Sequence, residues 1–214
     1  MTDKMTPDKN IRNLLFDLGG VIVDIKRERC VAALNALGMP DADRMIGLYE
    51  QSGPFQLLEQ GQISLPEFRQ QMRPHFSRPV SDSEIDAAFS AFIVGIPLPR
   101  LAALRELRTR YRTFVLSNTN PLMFHGVIAR FFAQEGLSIS DYFHGVTVSF
   151  EAKATKPDTK IFRYAVSTMG IDPAETLFFD DGQTNLNAAA RLGFHTCLVP
   201  PGTEFYDLIK PLGL

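Results

Sequence analysis

Four short stretches of this chain are apolar almost without interruption: IRNLLF running into Asp17, RTFVLS into Asn118, ETLFFD into Asp181, and HTCLVP near the end. A strand with one wet face alternates polar and apolar residues, whereas a strand covered on both faces reads as a continuous apolar run. Covering both faces requires helices on each side of a sheet, and helix-length segments do separate the four runs. PLMFHGVIARFFAQEG carries apolar residues at helical spacing and closes on Gly136, KIFRYAVSTMG closes on Gly170, and NLNAAARLG closes on Gly193. Strand alternating with helix predicts an α/β fold, a Rossmann-like parallel sheet wrapped on both sides.

From about Lys26 to Val94 the alternation stops. This stretch reads as consecutive helices without a strand: RERCVAALNALG first, then SLPEFRQQM and SDSEIDAAFSAFI. The last two open with Ser64 to Glu67 and Ser81 to Glu84, the spacing of a capping box ahead of an apolar face. GIPLPR, with Pro97 and Pro99, supplies a stiff return. The expected organisation is a core domain of residues 1–25 and 96–214 and an inserted helical cap domain of residues 26–95, with hinges near 24–27 and 94–100. Of the cap phenylalanines Phe55, Phe68, Phe76, Phe89 and Phe92, most belong to its core and one or two line a pocket.

In an open parallel sheet, ligands bind beyond the carboxyl ends of the strands. Three strands leave polar groups there: Asp17, then Ser117 and Asn118, then Asp180 and Asp181, while KATKPD adds Lys156 in a Pro-containing loop. Two carboxylates ~4 Å apart repel by about 4 kcal/mol at an effective dielectric of ~20, a cost that a cation relieves. Hard oxygen ligands of this kind suit Mg²⁺, which keeps waters and a substrate phosphate in its remaining positions. Lys156, Ser117 and Asn118 would hold the other phosphate oxygens. The pattern is that of phosphoryl transfer, with Asp17 as a nucleophile forming an aspartyl phosphate.

FDLGGV, VLSNT, KP and FFDD, in this order and spacing, resemble the four motifs of the haloacid dehalogenase-like (HAD) hydrolase superfamily, with the insertion where subfamily I carries its helical type 1 cap. The resemblance covers nearly all of the chain after about residue 11. It implies Asp17 as nucleophile, Ser117 with Asn118 beside it as phosphate contacts, Lys156 as the charge-neutralising lysine, and Asp181 as acidic metal ligand. Asp180 becomes the supporting carboxylate, and Asn185 stands where many members place another acid. Gly19 departs from the pattern. Phosphatases of the family carry there a second aspartate that protonates the leaving group, and its backbone carbonyl ligates the metal. Glycine keeps the carbonyl and loses the acid, a loss of 10² to 10⁴-fold, or roughly 3 to 5 kcal/mol of barrier. That loss matters least for a good leaving group. A sugar 1-phosphate is one, and DLGGVIVD resembles the subgroup containing a bacterial α-D-glucose-1-phosphate phosphatase. Asp24 could replace the acid or cap the first insertion helix; His125 is expected to be a surface or satisfied histidine.

Two other functions share these residues. A 2-haloacid dehalogenase also lacks the second aspartate, but it needs no metal and no acidic pair at the fourth motif. A phosphate-binding regulatory protein would keep the site and have little turnover. Composition removes further classes. Twenty-two basic against 24 acidic side chains give a formal charge of −2, and no basic stripe marks a nucleic-acid partner. No run of about 18 apolar residues predicts a membrane partner, and the polar start MTDKMTPDKN reads as a frayed tip rather than a leader. Cys30 and Cys197 form no disulfide framework. A cytoplasmic protein acting on a small phosphorylated metabolite is expected; oligomeric state leaves no mark on the sequence.

Overall fold

The computed structural model describes residues 10–47 and 52–210, and the N-terminal tip expected to be frayed lies mostly outside them. The chain begins with β1 (Asn13–Phe16), crosses a tight turn to a short strand β2 (Asp24–Ile25), and enters a run of helices: α1 (Arg27–Ala36), α2 (Ala42–Met45), α3 (Gly53–Glu59), α4 (Leu65–Met72) and α5 (Asp82–Ser90). It returns through β3 (Ile93–Gly95) to α6 (Leu98–Arg108) and β4 (Arg112–Ser117). A π-helical stretch (Met123–Ile128) runs into α7 (Ala129–Phe132), followed by α8 (Ile139–Tyr142), β5 (Gly145–Val148), α9 (Ser149–Ala152) and α10 (Thr159–Met169). The chain then forms β6 (Thr176–Asp180), α11 (Gln183–Ala190), β7 (His195–Leu198) and α12 (Phe205–Ile209).

Five strands form one parallel sheet in the order β5-β4-β1-β6-β7. From β1 the chain builds outward to β4 and β5 on one side, then returns to place β6 and β7 on the other. β1 is therefore central, and the strand order reverses beside it. Every residue of β1 is buried. Side chains alternate between the two faces: Leu14 and Phe16 join the larger core with Val115 and Phe179, and Leu15 joins the smaller core with Phe114, Leu116 and Phe178. α10 and α11 cover the smaller core through Ile161, Phe162, Leu186 and Ala189. The larger core continues without a break into the helices α1–α5.

The four expected strands are present, and the sheet adds a fifth, β5, whose glycine-led GVTV is not a continuous apolar run. The insertion was expected to lack strands. Instead, β2 and β3 pair antiparallel where the chain leaves and re-enters the sheet, with Asp24 opposite Gly95 and Ile25 opposite Ile93. Both capping boxes form as expected at Ser64 and Ser81. Pro97 and Pro99 do more than stiffen a return. They open α6, since proline suits the first helical positions, whose N–H groups have no partner within the helix.

Candidate active site

β4, β1 and β6 are adjacent, so the residues after them share one edge. Asp17 extends the pairing of β1, donating its backbone N–H to the Phe179 carbonyl at 2.9 Å. Its Oδ1 accepts from the Leu18 N–H at 2.7 Å and faces the Lys156 ammonium at 2.9 Å. Lys156 Nζ also donates to Asp180 Oδ2 at 2.7 Å and lies over the Phe178 ring. Asp180 is fully buried and saturated: its Oδ1 accepts from the Gly182 N–H at 2.7 Å and the Asn185 amide at 2.9 Å. Asp180 thus holds the lysine, and Asn185 holds Asp180.

Carboxylate oxygens of Asp17, Asp180 and Asp181 lie within 4.8 Å of one another. Three carboxylates and one ammonium leave two excess negative charges, which a divalent cation balances. Two of the three have capacity for it. Among the described residues no donor reaches Asp17 Oδ2, and no other residue donates to the Asp181 carboxylate. The turn after β1 directs its hydrogen bonds to the carbonyls of Leu18 and Val23, and among the described residues no donor reaches that of Gly19. Burial raises the Asp17 carboxyl above its ordinary range against the pull of Lys156, and burial together with Asp180 pushes Asp181 up to about 6. Burial alone would lower Lys156, but Asp17 and Asp180 carry it above its usual value. The residues present fit Mg²⁺: hard oxygens, crowded, and destabilised as anions without it.

The two glycines after Asp17 have different reasons. Gly20 has φ +74°, and a Cβ there would come within 2.4 Å of Asp181 Oδ2. Only the bare backbone leaves Asp181 its place. Gly19 is not so constrained; a Cβ there would make ordinary contact with Ile25 at 3.6 Å. Ile25 thus borders the space a side chain at position 19 would enter.

Ser117 is buried at the end of β4. Asn118 was expected as a phosphate donor, but its amide is committed to the loop of Lys156. Its Nδ2 donates to the Lys156 carbonyl at 3.0 Å, and its Oδ1 accepts from the Lys156 N–H at 2.8 Å. Ser117 and Asn118 do not cap the next helix; Asn120 Oδ1 does so, accepting from the Met123 N–H. Asp24 takes neither of its expected roles. Lys26 occupies the N-cap of α1, and Asp24 is bound by Arg100 at 2.7 Å, outside the cavity lining. His125 is exposed against the rings of Phe124 and Phe150, as a surface histidine.

A cavity of about 680 Å³ opens over these strand ends, lined by Asp17, Gly19, Ser117, Lys156, Asp181 and Asn185. From the insertion come Phe55, Glu59 and Phe92, two of the five phenylalanines expected to be divided between core and pocket. Sequence reading passed over three residues that shape this region. Ser149 Oγ accepts from the Thr119 N–H and donates to the Thr119 carbonyl, fixing the loop after β4. Arg100 ties Asp24, the Ile22 carbonyl and Glu204 together. Glu59 is the third. It follows Phe55 by one helical turn, which places both on one face of α3, but a glutamate in LLEQG reads as a solvated surface residue.

The family model of haloacid dehalogenase-like hydrolases matches residues 11–193. D-ribitol-5-phosphate phosphatase of Bacteroides thetaiotaomicron is 38% identical over 195 residues, 91% of this chain and 95% of that protein. A HAD family enzyme of the same organism, crystallised with magnesium and inorganic phosphate, superposes with a TM-score of 0.87 at 36% identity, covering 92% of this chain and 98% of its own. An L-2-haloacid dehalogenase of Xanthobacter autotrophicus reaches a TM-score of 0.60 at 18% identity over 88% of this chain and 77% of its own, a likeness of fold alone. With the four motifs at one sheet edge and the match spanning most of its length, this chain belongs to the haloacid dehalogenase-like hydrolase family.

Proposed function

We propose that this protein is a phosphatase that hydrolyses a small phosphorylated sugar or sugar alcohol through an aspartyl-phosphate intermediate at Asp17. The chain is a phosphoric monoester hydrolase of its family, and Mg²⁺ is its cofactor. The observation that carries the reading is the meeting of Asp17, Asp181 and Lys156 in one cavity, with the buried Asp180 spent on holding the lysine. Asp17, Asp181 and the Gly19 carbonyl would hold the ion, whose charge offsets the carboxylates and orients the phosphoryl group. One carboxylate oxygen of Asp17 attacks phosphorus. Lys156 and the Ser117 hydroxyl take the equatorial oxygens, and Asn118 keeps Lys156 in place. The helices of residues 26–95 act as a cap that walls the cavity and selects the organic part of the substrate.

Two substrate types have support. Gly19, lacking a carboxylate, favours a leaving group that departs without help, as in a sugar 1-phosphate. The likeness to D-ribitol-5-phosphate phosphatase supports a primary alkyl ester instead. A phosphate-release screen over phosphorylated metabolites, including α-D-glucose 1-phosphate and D-ribitol 5-phosphate, tests both with and without Mg²⁺. Turnover is expected with Mg²⁺ and is expected to fall to the buffer background in Asp17→Asn. Mg²⁺-dependent ligand binding without phosphate release would instead mark a regulatory protein, and chloride release from 2-chloropropionate insensitive to EDTA would mark a dehalogenase.

A further inference from the structure

The cavity holds one carboxylate that the strand-end cluster does not use. Glu59 ends α3, half-buried, and lines the cavity beside Phe55, whose ring stacks into the aromatic cluster of Phe68 and Phe89. Among the described residues no donor and no cation reaches it. The charged groups on the helices packed against α3 are engaged or outward: Glu67 in its capping box, Arg69 with Asp86, Glu151 exposed. The charges that share the cavity are Asp17, Asp181 and Lys156, and Lys156 is held between Asp17 and Asp180. With no partner among the described residues to offset it, burial pushes the Glu59 carboxyl up to about 8. That shift favours its protonated form at neutral pH.

In-line displacement expels the leaving oxygen on the side of phosphorus away from the attacking carboxylate. The cavity over the sheet edge that holds Asp17 is also lined by Phe55, Glu59, Ile25 and Phe92, so the organic part of an ester bound there shares that space with Glu59. We propose that Glu59 is the proton donor to the leaving oxygen, the part that position 19 cannot play; this rests on the phosphatase reading above. As Asp17 forms its bond to phosphorus, the P–O ester bond breaks, its electron pair passes to the leaving oxygen, and the Glu59 proton completes a neutral alcohol. Glu59 is left as a carboxylate. It takes a proton from the water that next attacks phosphorus, the bond to Asp17 breaks, and phosphate, free Asp17 and neutral Glu59 are restored.

The test compares kcat/KM, which reports events up to departure of the leaving group, for two esters in wild type and Glu59→Gln. One is 4-nitrophenyl phosphate, whose leaving group needs no proton. The other is D-ribitol 5-phosphate, or whichever alkyl ester of the screen is turned over faster. Glu59→Gln is expected to lose about 10²-fold or more on the alkyl ester and less than about threefold on the aryl ester. Equal losses on both, or none on either, overturn the proposal while leaving the phosphatase reading intact. A wild-type enzyme inert toward every ester overturns that reading first. Should the variant fold poorly, the wild-type pH profile decides: alkyl-ester kcat/KM must fall above about pH 8 and aryl-ester kcat/KM must not.

Discussion

The two glycines after the proposed nucleophile separate backbone need from chemical absence. At position 20 any β-carbon meets Asp181 Oδ2 at 2.4 Å in a left-handed conformation that side chains rarely adopt. Gly20→Ala is expected to displace Asp181, to weaken Mg²⁺ binding by tenfold or more in isothermal titration, and to destabilise the fold by about 1–3 kcal/mol. At position 19 the same change meets only Ile25, at an ordinary 3.6 Å. Gly19→Ala is expected to bind Mg²⁺ within about threefold of wild type. Similar losses in both variants would show that position 19 is held by backbone strain rather than by the chemistry of its missing side chain. Much at this scale was legible: Asp17, Lys156, Asp180 and Asp181 each close an apolar run or sit beside a proline, and all four meet. Asn118 stands at the expected strand end, but the engagement of its side-chain amide with the Lys156 loop, 38 residues away, carries no local signal.

At the scale of elements, the insertion is fastened where it leaves the sheet. The β2–β3 pair closes the two crossings against each other, and Arg100 at the start of α6 clamps them from below. Its guanidinium reaches the Ile22 carbonyl at 3.0 Å, Asp24 at 2.7 Å, and Glu204 through two bonds of 2.7 and 3.0 Å. Arg100 is buried while Asp24 is half exposed, so the Asp24 contact is partly screened and the carbonyl and Glu204 contacts count for more. Arg100→Met is expected to cost about 2 kcal/mol of stability by denaturant unfolding, since it strands a buried carbonyl and frees Glu204. Unchanged stability would mean that hydrophobic packing alone seats the insertion. This clamp explains why sequence reading missed the role of Asp24: its partner comes 76 residues later, from a stretch that reads only as a proline-stiffened return. Within the insertion, α4 and α5 were legible through their capping boxes, which are local, whereas α2 and α3 carry no such signal. The strands β2 and β3, only two and three residues long, exist through pairing across the whole insertion and carry no pattern of their own.

Across the whole molecule, the fold gathers carboxylates where water is scarce and so sets proton and metal in competition. Asp17 stands above its ordinary range and Asp181 is pushed up to about 6, both chiefly by burial, and Glu59 reaches about 8 for the same reason. Each of these groups holds its proton more tightly in the folded chain than in the unfolded one. Without metal, therefore, the folded state binds more protons than the unfolded state from the ordinary carboxylate range up to these raised values, and stability falls as pH rises through that window. Mg²⁺ held as proposed by Asp17 and Asp181 would reverse the sign there, because it binds only ionised carboxylates and releases protons on binding. Its affinity should weaken by at least about tenfold between pH 8 and pH 5 from Asp181 alone, a group one unit below its raised value at the lower pH. The stabilisation Mg²⁺ confers, which grows with the ratio of its concentration to its Kd, must then be larger at pH 8 than at pH 5. Thermal unfolding at the two pH values, in millimolar Mg²⁺ and in EDTA, reads this directly. A gain in Tm that does not grow with pH would mean that the ion binds elsewhere than between Asp17 and Asp181.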